Sequence, residues 1–143
     1  MSLGEARTML SDDFPASGTR AGIMSGVEKI VTHWEGLGAS GEIWLDGSLL
    51  THKMDPEDGD FSFIASPGTR SLLNPDLATE MSSPWGAHLP GPLHAFGVWM
   101  YPPGHPLSTG NTSDLDFWRR FWTHDREGNP KGCAVLKVGG GLR

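Results

Sequence analysis

The chain has 143 residues and a mass of 15.4 kDa, the size of one compact domain with room for a short tail. With 11 basic and 17 acidic residues its formal charge is −6, and the scattered basic residues argue against binding to nucleic acids. No stretch approaches the roughly 20 apolar residues of a membrane span, and the single Cys133 excludes an internal disulfide and the cysteine-rich zinc modules. Because no targeting signal opens the sequence, we expect a cytoplasmic protein. The sequence does not specify the oligomeric state.

The first predicted elements are a tail and a helix. Residues 1–22 have no sustained hydrophobic period, so we expect a flexible N-terminal tail ahead of a domain over residues 23–143. Ser25 and Glu28 have the spacing of a capping box, which predicts a helix over residues 26–35. Its apolar face consists of Val27, Ile30, Val31 and Trp34.

A β-hairpin is predicted next. The strand-like runs 42–45 and 48–52 flank the pair Asp46-Gly47, and an Asp-Gly pair between two such runs is a strong hairpin signal. The acidic run 55–60 lacks the alternation of a calcium loop, so it is interpreted as a solvated turn.

The remaining elements complete a mixed fold. Further strands are predicted at residues 61–65, 93–100 and 133–138, and Asn74-Pro75 predicts a short helix through Met81. A second long helix is predicted over Ser113–Thr123. Its aromatic stripe is typical of a core face, with a binding groove as the alternative. This order of elements predicts an α/β fold, an α+β sandwich in which helices flank a mixed β-sheet.

A histidine loop and a helix start carry the candidate site. His105 and Pro106 follow the predicted strand 93–100, and Ser113 and Asp116 open the next helix. Imidazole and carboxylate are common zinc ligands, and a hydroxyl beside the metal can stabilise an oxyanion. The alternatives are a helix cap for Ser113 and Asp116 and a simple loop histidine for His105.

This pattern resembles the JAB/MPN metalloprotease-like family, whose signature is His-x-His-Pro, a loop, then Ser-x-x-Asp, with a Glu far upstream. The resemblance covers about residues 26–143. It implies that His105 and Asp116 are zinc ligands and that Ser113 is the oxyanion donor. Zinc would lower the pKa of a bound water to roughly 7, and a glutamate would take its proton.

Two positions bear on whether that site is complete. Glu35 resembles the family's catalytic glutamate, with Glu42 as the alternative base. Pro103 stands where the family has its first ligand histidine, so the zinc site has two protein ligands where a catalytic site has three. The remaining candidates for a third ligand are His88, His94 and His124.

Three functions follow from these patterns. The resemblance implies a JAB/MPN-like domain with a degenerate metal site, a binding or scaffold module for a protein or peptide partner with little or no isopeptidase activity. The first alternative is an active zinc-dependent isopeptidase or peptidase with a rearranged ligand set. The second is a structural or assembly protein, such as a viral one, which the Gly- and Pro-rich loops would suit.

Overall fold

The computed structural model describes residues 1–108 and 113–142, with the backbone alone described at residues 113 and 114. The described chain forms an α+β fold in which helices cover both faces of a five-stranded mixed sheet. The predicted fold class is therefore confirmed.

The elements have the following bounds in chain order. They are α1 (Leu3–Arg7), a π-helical turn (Thr8–Asp12), α2 (Arg20–Gly36), β1 (Gly41–Asp46), a 3-10 turn (Gly47–Leu50), β2 (Gly59–Ala65), a 3-10 turn (Thr69–Leu72), α3 (Pro75–Met81), β3 (Ala87–Leu89), β4 (Leu93–Trp99), α4 (Ser113–Thr123) and β5 (Ala134–Val138).

The sheet has the strand order β3-β4-β2-β1-β5. β1 pairs antiparallel with both β2 and β5, and β3 pairs antiparallel with β4. β2 and β4 are parallel. Parallel neighbours need a long crossover, which here is the segment 66–92 with α3.

Helix α2 covers one face of the sheet. Its buried side chains include Ile23, Val27 and Trp34, and the Trp34 ring stacks on Phe63 of β2 with centroids 4.3 Å apart. Each such side chain contributes roughly 1.5–3 kcal/mol when fully buried. The helix extends beyond the predicted residues 26–35 because Arg20 and Ile23 are also buried against the core.

Helix α4 covers the opposite face. Its Leu115 and Trp122 are buried in a second cluster with Trp44, Ile64 and Val98, which belong to β1, β2 and β4. The aromatic stripe of this helix is divided, because Phe117 and Phe121 are 62% and 52% exposed. The two faces of the sheet thus have separate cores, and one aromatic pair of α4 lies outside both.

The predicted strand 48–52 is wrong. The chain forms a 3-10 turn over Gly47–Leu50, and β1 pairs with β2 instead. The carbonyl oxygens of Leu49 and Thr51 accept hydrogen bonds from the buried guanidinium of Arg20, so they are not available to a strand ladder. The Asp46-Gly47 pair therefore begins a long connection and not a hairpin.

Residues 1–22, where a tail was expected, contain helical turns that contact α2. Ser2 caps α1, and Arg7 forms an ion pair with Glu28 at 2.6 Å. Leu10 is buried in the same core as α2. These contacts join the segment to the domain, while its expected flexibility stays a prediction.

Candidate functional site

Ionisable side chains form a row across one end of the sheet. His88, His94, Asp60 and Asp46 come from four neighbouring strands, and each is paired in register with the next. Because side chains alternate along a strand, they lie on the face that α4 covers. Lys131 extends the row, since its Nζ lies 2.5 Å from Asp46 Oδ2. We call these five residues the polar row.

The carboxyl group of Asp60 has a perturbed pKa. Burial raises the pKa of its carboxyl group, and the nearby carboxylates of Asp58 and Asp46 raise it further. The imidazole of His94 acts in the opposite direction, with Nδ1 3.6 Å from Asp60 Oδ1. A perturbed acid at the edge of a cleft is a common property of functional sites.

The histidines of the row are held by their neighbours. His94 Nε2 lies 2.5 Å from the carbonyl oxygen of Trp85, which fixes the ring orientation. The ring of His88 stacks on that of His94 with centroids 4.6 Å apart.

The backbone at Gly47 lies close to the Asp60 side chain of the polar row. Its φ of +76° is unfavourable for other residues, and a Cβ atom there would lie 3.0 Å from Asp60 Oδ2. A side chain at residue 47 would therefore crowd the Asp60 carboxylate.

A cleft of about 660 Å³ lies over the row. One wall is the outer face of α4, where Phe117 and Phe121 stack with centroids 6.3 Å apart. Arg120 and Arg126 also line the cleft. Trp122 lines its base, and the buried indole Nε1 has no hydrogen-bond partner among the described residues. The cleft thus combines carboxylates, cations and exposed aromatic rings.

The sequence-predicted site residues lie elsewhere. Glu35 Oε1 accepts a hydrogen bond from Gly139 N at 3.1 Å, and Glu42 Oε2 accepts one from Trp44 Nε1 at 2.8 Å. His105 is exposed, and its ring stacks on Tyr101.

The other two predicted residues belong to α4. Asp116 is exposed, with Oδ1 3.8 Å from Arg119 Nη1. The helix begins at Ser113, as predicted, but the Ser113 side chain lies outside the described part. Within residues 1–108 and 113–142, no group of three or more His, Cys, Asp and Glu side chains is arranged to hold a metal ion. The zinc site and the roles of its residues stay predictions.

The cleft residues were missed because each has an ordinary local interpretation. Asp46 and Asp60 were assigned to turns, and their pairing depends on the register of β1 with β2. Of the three candidate third zinc ligands, His88 and His94 lie in the polar row and His124 lines the cleft.

Comparison with known proteins gives one result. Residues 1–137 match DUF6932, described as a family of unknown function. No curated protein and no solved structure matches the chain. None of the described helices has both the length and the apolar composition of a bilayer span. The chain therefore belongs to the family DUF6932.

Proposed function

We propose that the chain binds a nucleotide, together with a divalent cation, in the cleft over the polar row. The observation that carries the proposal is that the carboxylates of Asp46 and Asp60 lie in the same cleft as the exposed Phe117–Phe121 pair and two arginines. The phosphate groups, the base and the cation each have a matching group there.

The arginines suit the phosphate groups. Arg120 and Arg126 are exposed, and neither forms an ion pair with a described residue. A guanidinium group binds phosphate oxygens with two parallel hydrogen bonds, which makes arginine a frequent phosphate ligand.

The phenylalanines suit the base. Phe117 and Phe121 lie one helical turn apart, so their rings form a continuous apolar surface on α4. Stacking of a base on an aromatic side chain contributes roughly 1–3 kcal/mol and accepts any base. The aromatic pair therefore favours a nucleotide over inorganic phosphate.

The carboxylates suit the cation. Magnesium in proteins is commonly held by one or two carboxylates, with phosphate oxygens and water completing its coordination. Asp46 and Asp60 are direct partners in the β1–β2 register, close enough to share such an ion. Lys131 neutralises Asp46 and would have to turn away from it, which its flexible stem allows.

Phosphoryl or nucleotidyl transfer is the chemistry that this arrangement would serve. A cation held between carboxylates and phosphates polarises the phosphoryl oxygens and orients the leaving group. The cleft thus supplies ligands for the cation and the phosphate groups of such a substrate.

Isothermal titration with ATP, with and without Mg²⁺, tests the proposal. We expect saturable binding that is strengthened by Mg²⁺, and weaker binding of adenosine and pyrophosphate, each of which lacks one half of the ligand. Product analysis of the same samples reports turnover. Absence of ATP and GTP binding, with and without Mg²⁺, would refute the function.

Two variants test the assigned roles. Phe121→Ala should weaken ATP binding about tenfold and leave pyrophosphate binding unchanged, because only the base stacks on the ring. Asp60→Asn should remove the Mg²⁺ dependence. Leu37→Ala and Asp76→Asn are the matched controls, since both residues are exposed and neither lines the cleft. Equal effects of Phe121→Ala on ATP and pyrophosphate would contradict base stacking.

A second candidate is the JAB/MPN-like binding or scaffold module with a degenerate metal site. It is supported by the position of His105 in the loop after β4 and by the start of α4 at Ser113, as the signature requires. The partner would be a protein or peptide, and the location cytoplasmic. Titration of the native chain and of Pro103→His with zinc tests this alternative.

A further inference from the structure

We propose a second ligand site for small aryl carboxylates, at the opposite end of the sheet from the polar row. It is a cavity of about 500 Å³ where the parallel strands β2 and β4 end. The proposal does not rest on nucleotide binding, because the two sites share no lining residue.

The cavity lies at the carboxyl ends of the two parallel strands. Ser66 and Gly68 follow β2, Met100 and Tyr101 follow β4, and all four line the cavity. In open α/β sheets, ligands bind in the crevice outside the carboxyl ends of parallel strands. Here that crevice is formed by the only parallel pair in the described sheet.

The floor and one wall are apolar and aromatic. Leu73 and Ala78 are buried beneath the cavity. The indole of Trp99 forms a wall, and its orientation is fixed because Nε1 donates to Ser82 Oγ at 2.5 Å. Fixed aromatic surfaces of this kind accept a flat apolar group without a large loss of side-chain entropy.

The charge of the cavity indicates a single negative group on the ligand. Of the described lining residues, none is acidic, and Arg70 is the only one with a permanent charge. Its guanidinium lies 5.6 Å from the centroid of the Trp99 ring and forms no ion pair with a described residue. An aryl ring against Trp99 would therefore place its carboxylate beside Arg70.

His105 offers a second donor. The backbone N–H of Leu107 donates to its Nδ1 at 3.0 Å, so the neutral ring carries its proton on Nε2. The ring lines the cavity and stacks on Tyr101 with centroids 4.7 Å apart. The histidine that was predicted to bind zinc is thus placed to donate a hydrogen bond to a carboxylate.

The test compares two ligands of similar shape that differ chiefly in charge. The ligands are 2-naphthylacetate and its carboxamide, so titration calorimetry of the full chain isolates the contribution of the carboxylate. We expect the acid to bind at least about tenfold more tightly, since hydrogen bonds to charged groups are the stronger ones. In ¹H–¹⁵N spectra, the indole resonance of Trp99 should shift. Equal affinities, or no binding of the acid, would overturn the proposal.

Variants locate the bound carboxylate. Arg70→Gln should remove most of the difference in affinity between the acid and the amide, and Arg70→Lys should retain more of it. Arg126→Gln is the matched control, because it removes an exposed arginine from the other cleft. Arg70 is exposed, so its replacement leaves the core intact, which circular dichroism would verify. Unchanged affinity in Arg70→Gln, or displacement of the acid by ATP, would place the ligand elsewhere.

Discussion

Asp60 and His94 lie side by side on the parallel strands β2 and β4, with Oδ1 of the carboxyl group 3.6 Å from Nδ1 of the ring. The other ring nitrogen, Nε2, lies 2.5 Å from the carbonyl oxygen of Trp85, which can only accept a hydrogen bond. Nε2 therefore carries a proton, and Nδ1 of a neutral ring would face Asp60 with a lone pair. That lone pair and the ionised carboxylate of Asp60 repel each other. A proton on His94 Nδ1 or on the Asp60 carboxyl group removes this repulsion.

Replacement of Asp60 should stabilise the protein at neutral pH. Because burial and the acids Asp58 and Asp46 raise the folded-state pKa of Asp60, the folded state binds more protons than the unfolded state between the two pKa values. Stability therefore falls as the pH rises through that interval. Asp60→Asn should raise the Tm at pH 7–8 by about 2 °C, a small value because the side chain is partly exposed.

The pH dependence of the Tm gain tests whether the gain comes from the raised pKa of Asp60. The gain in Asp60→Asn should shrink as the pH falls through the raised folded-state pKa of Asp60, because the native carboxyl group then becomes neutral as well, and the exposed control Asp76→Asn should show no such trend. Thermal melts across this pH range measure both. A loss of stability in Asp60→Asn at neutral pH would mean that the ion pair with His94 outweighs burial.

Gly47→Ala should destabilise the protein more than Gly91→Ala. Both glycines have positive φ, +76° and +78°, so both substitutions impose backbone strain of roughly 1–2 kcal/mol. Only at residue 47 does the new Cβ meet a neighbour, Asp60 Oδ2 at 3.0 Å, whereas nothing lies within 4 Å at residue 91. Urea unfolding should show the larger loss in Gly47→Ala, which should also weaken ATP binding. Equal losses would show that strain alone acts at both sites.

Local signals predicted most of the fold. α3 is confirmed over Pro75–Met81, because Asn74 caps a helix that begins with proline, and the alternating run at Phe61 became part of β2. The strand β3 was missed, since its three residues are too few for a periodic signal. The hairpin at Asp46-Gly47 was wrong because a distant side chain, Arg20, determines the conformation of the following loop.

The candidate site was less predictable for a physical reason. The polar row contains one residue from each of four strands, and the strands are adjacent in an order that the chain sequence does not follow. Asp60 and His94 are parallel neighbours only because α3 and its flanking loops form a crossover. No local pattern contains that information, whereas the motif around His105 is local and was therefore visible.

We expect the native chain to bind zinc weakly. Two protein ligands, His105 and Asp116, stabilise a divalent ion far less than three. If the JAB/MPN resemblance holds, Pro103→His should restore the missing ligand and raise zinc affinity, and adding Asp116→Ala should cancel the gain. Titration calorimetry with zinc measures each variant. One zinc per chain retained by the native protein through dialysis would show that another residue completes the site.

Arg20 should be the most sensitive cation of the fold. Its side chain is fully buried, and its guanidinium donates five hydrogen bonds to the carbonyl oxygens of Leu10, Leu49, Thr51 and Lys53. It also lies 3.7 Å from the centroid of the Phe14 ring. These contacts join the N-terminal segment and the loop after Gly47 to the start of α2, although none of the described acidic side chains forms an ion pair with the guanidinium.

Arg20→Met should therefore cost at least about 3 kcal/mol, because it leaves several buried carbonyl groups without donors. Arg20→Lys should recover only part of this loss, since one ammonium group has three donors and cannot span four carbonyls. Arg7→Met, which breaks the partly exposed pair with Glu28, is the control and should cost less than about 1 kcal/mol. Urea unfolding gives all three values. An equal loss of unfolding free energy in Arg20→Met and Arg7→Met would contradict this prediction. It would mean that water satisfies the carbonyl groups in place of the guanidinium and that the loop after Gly47 does not depend on Arg20.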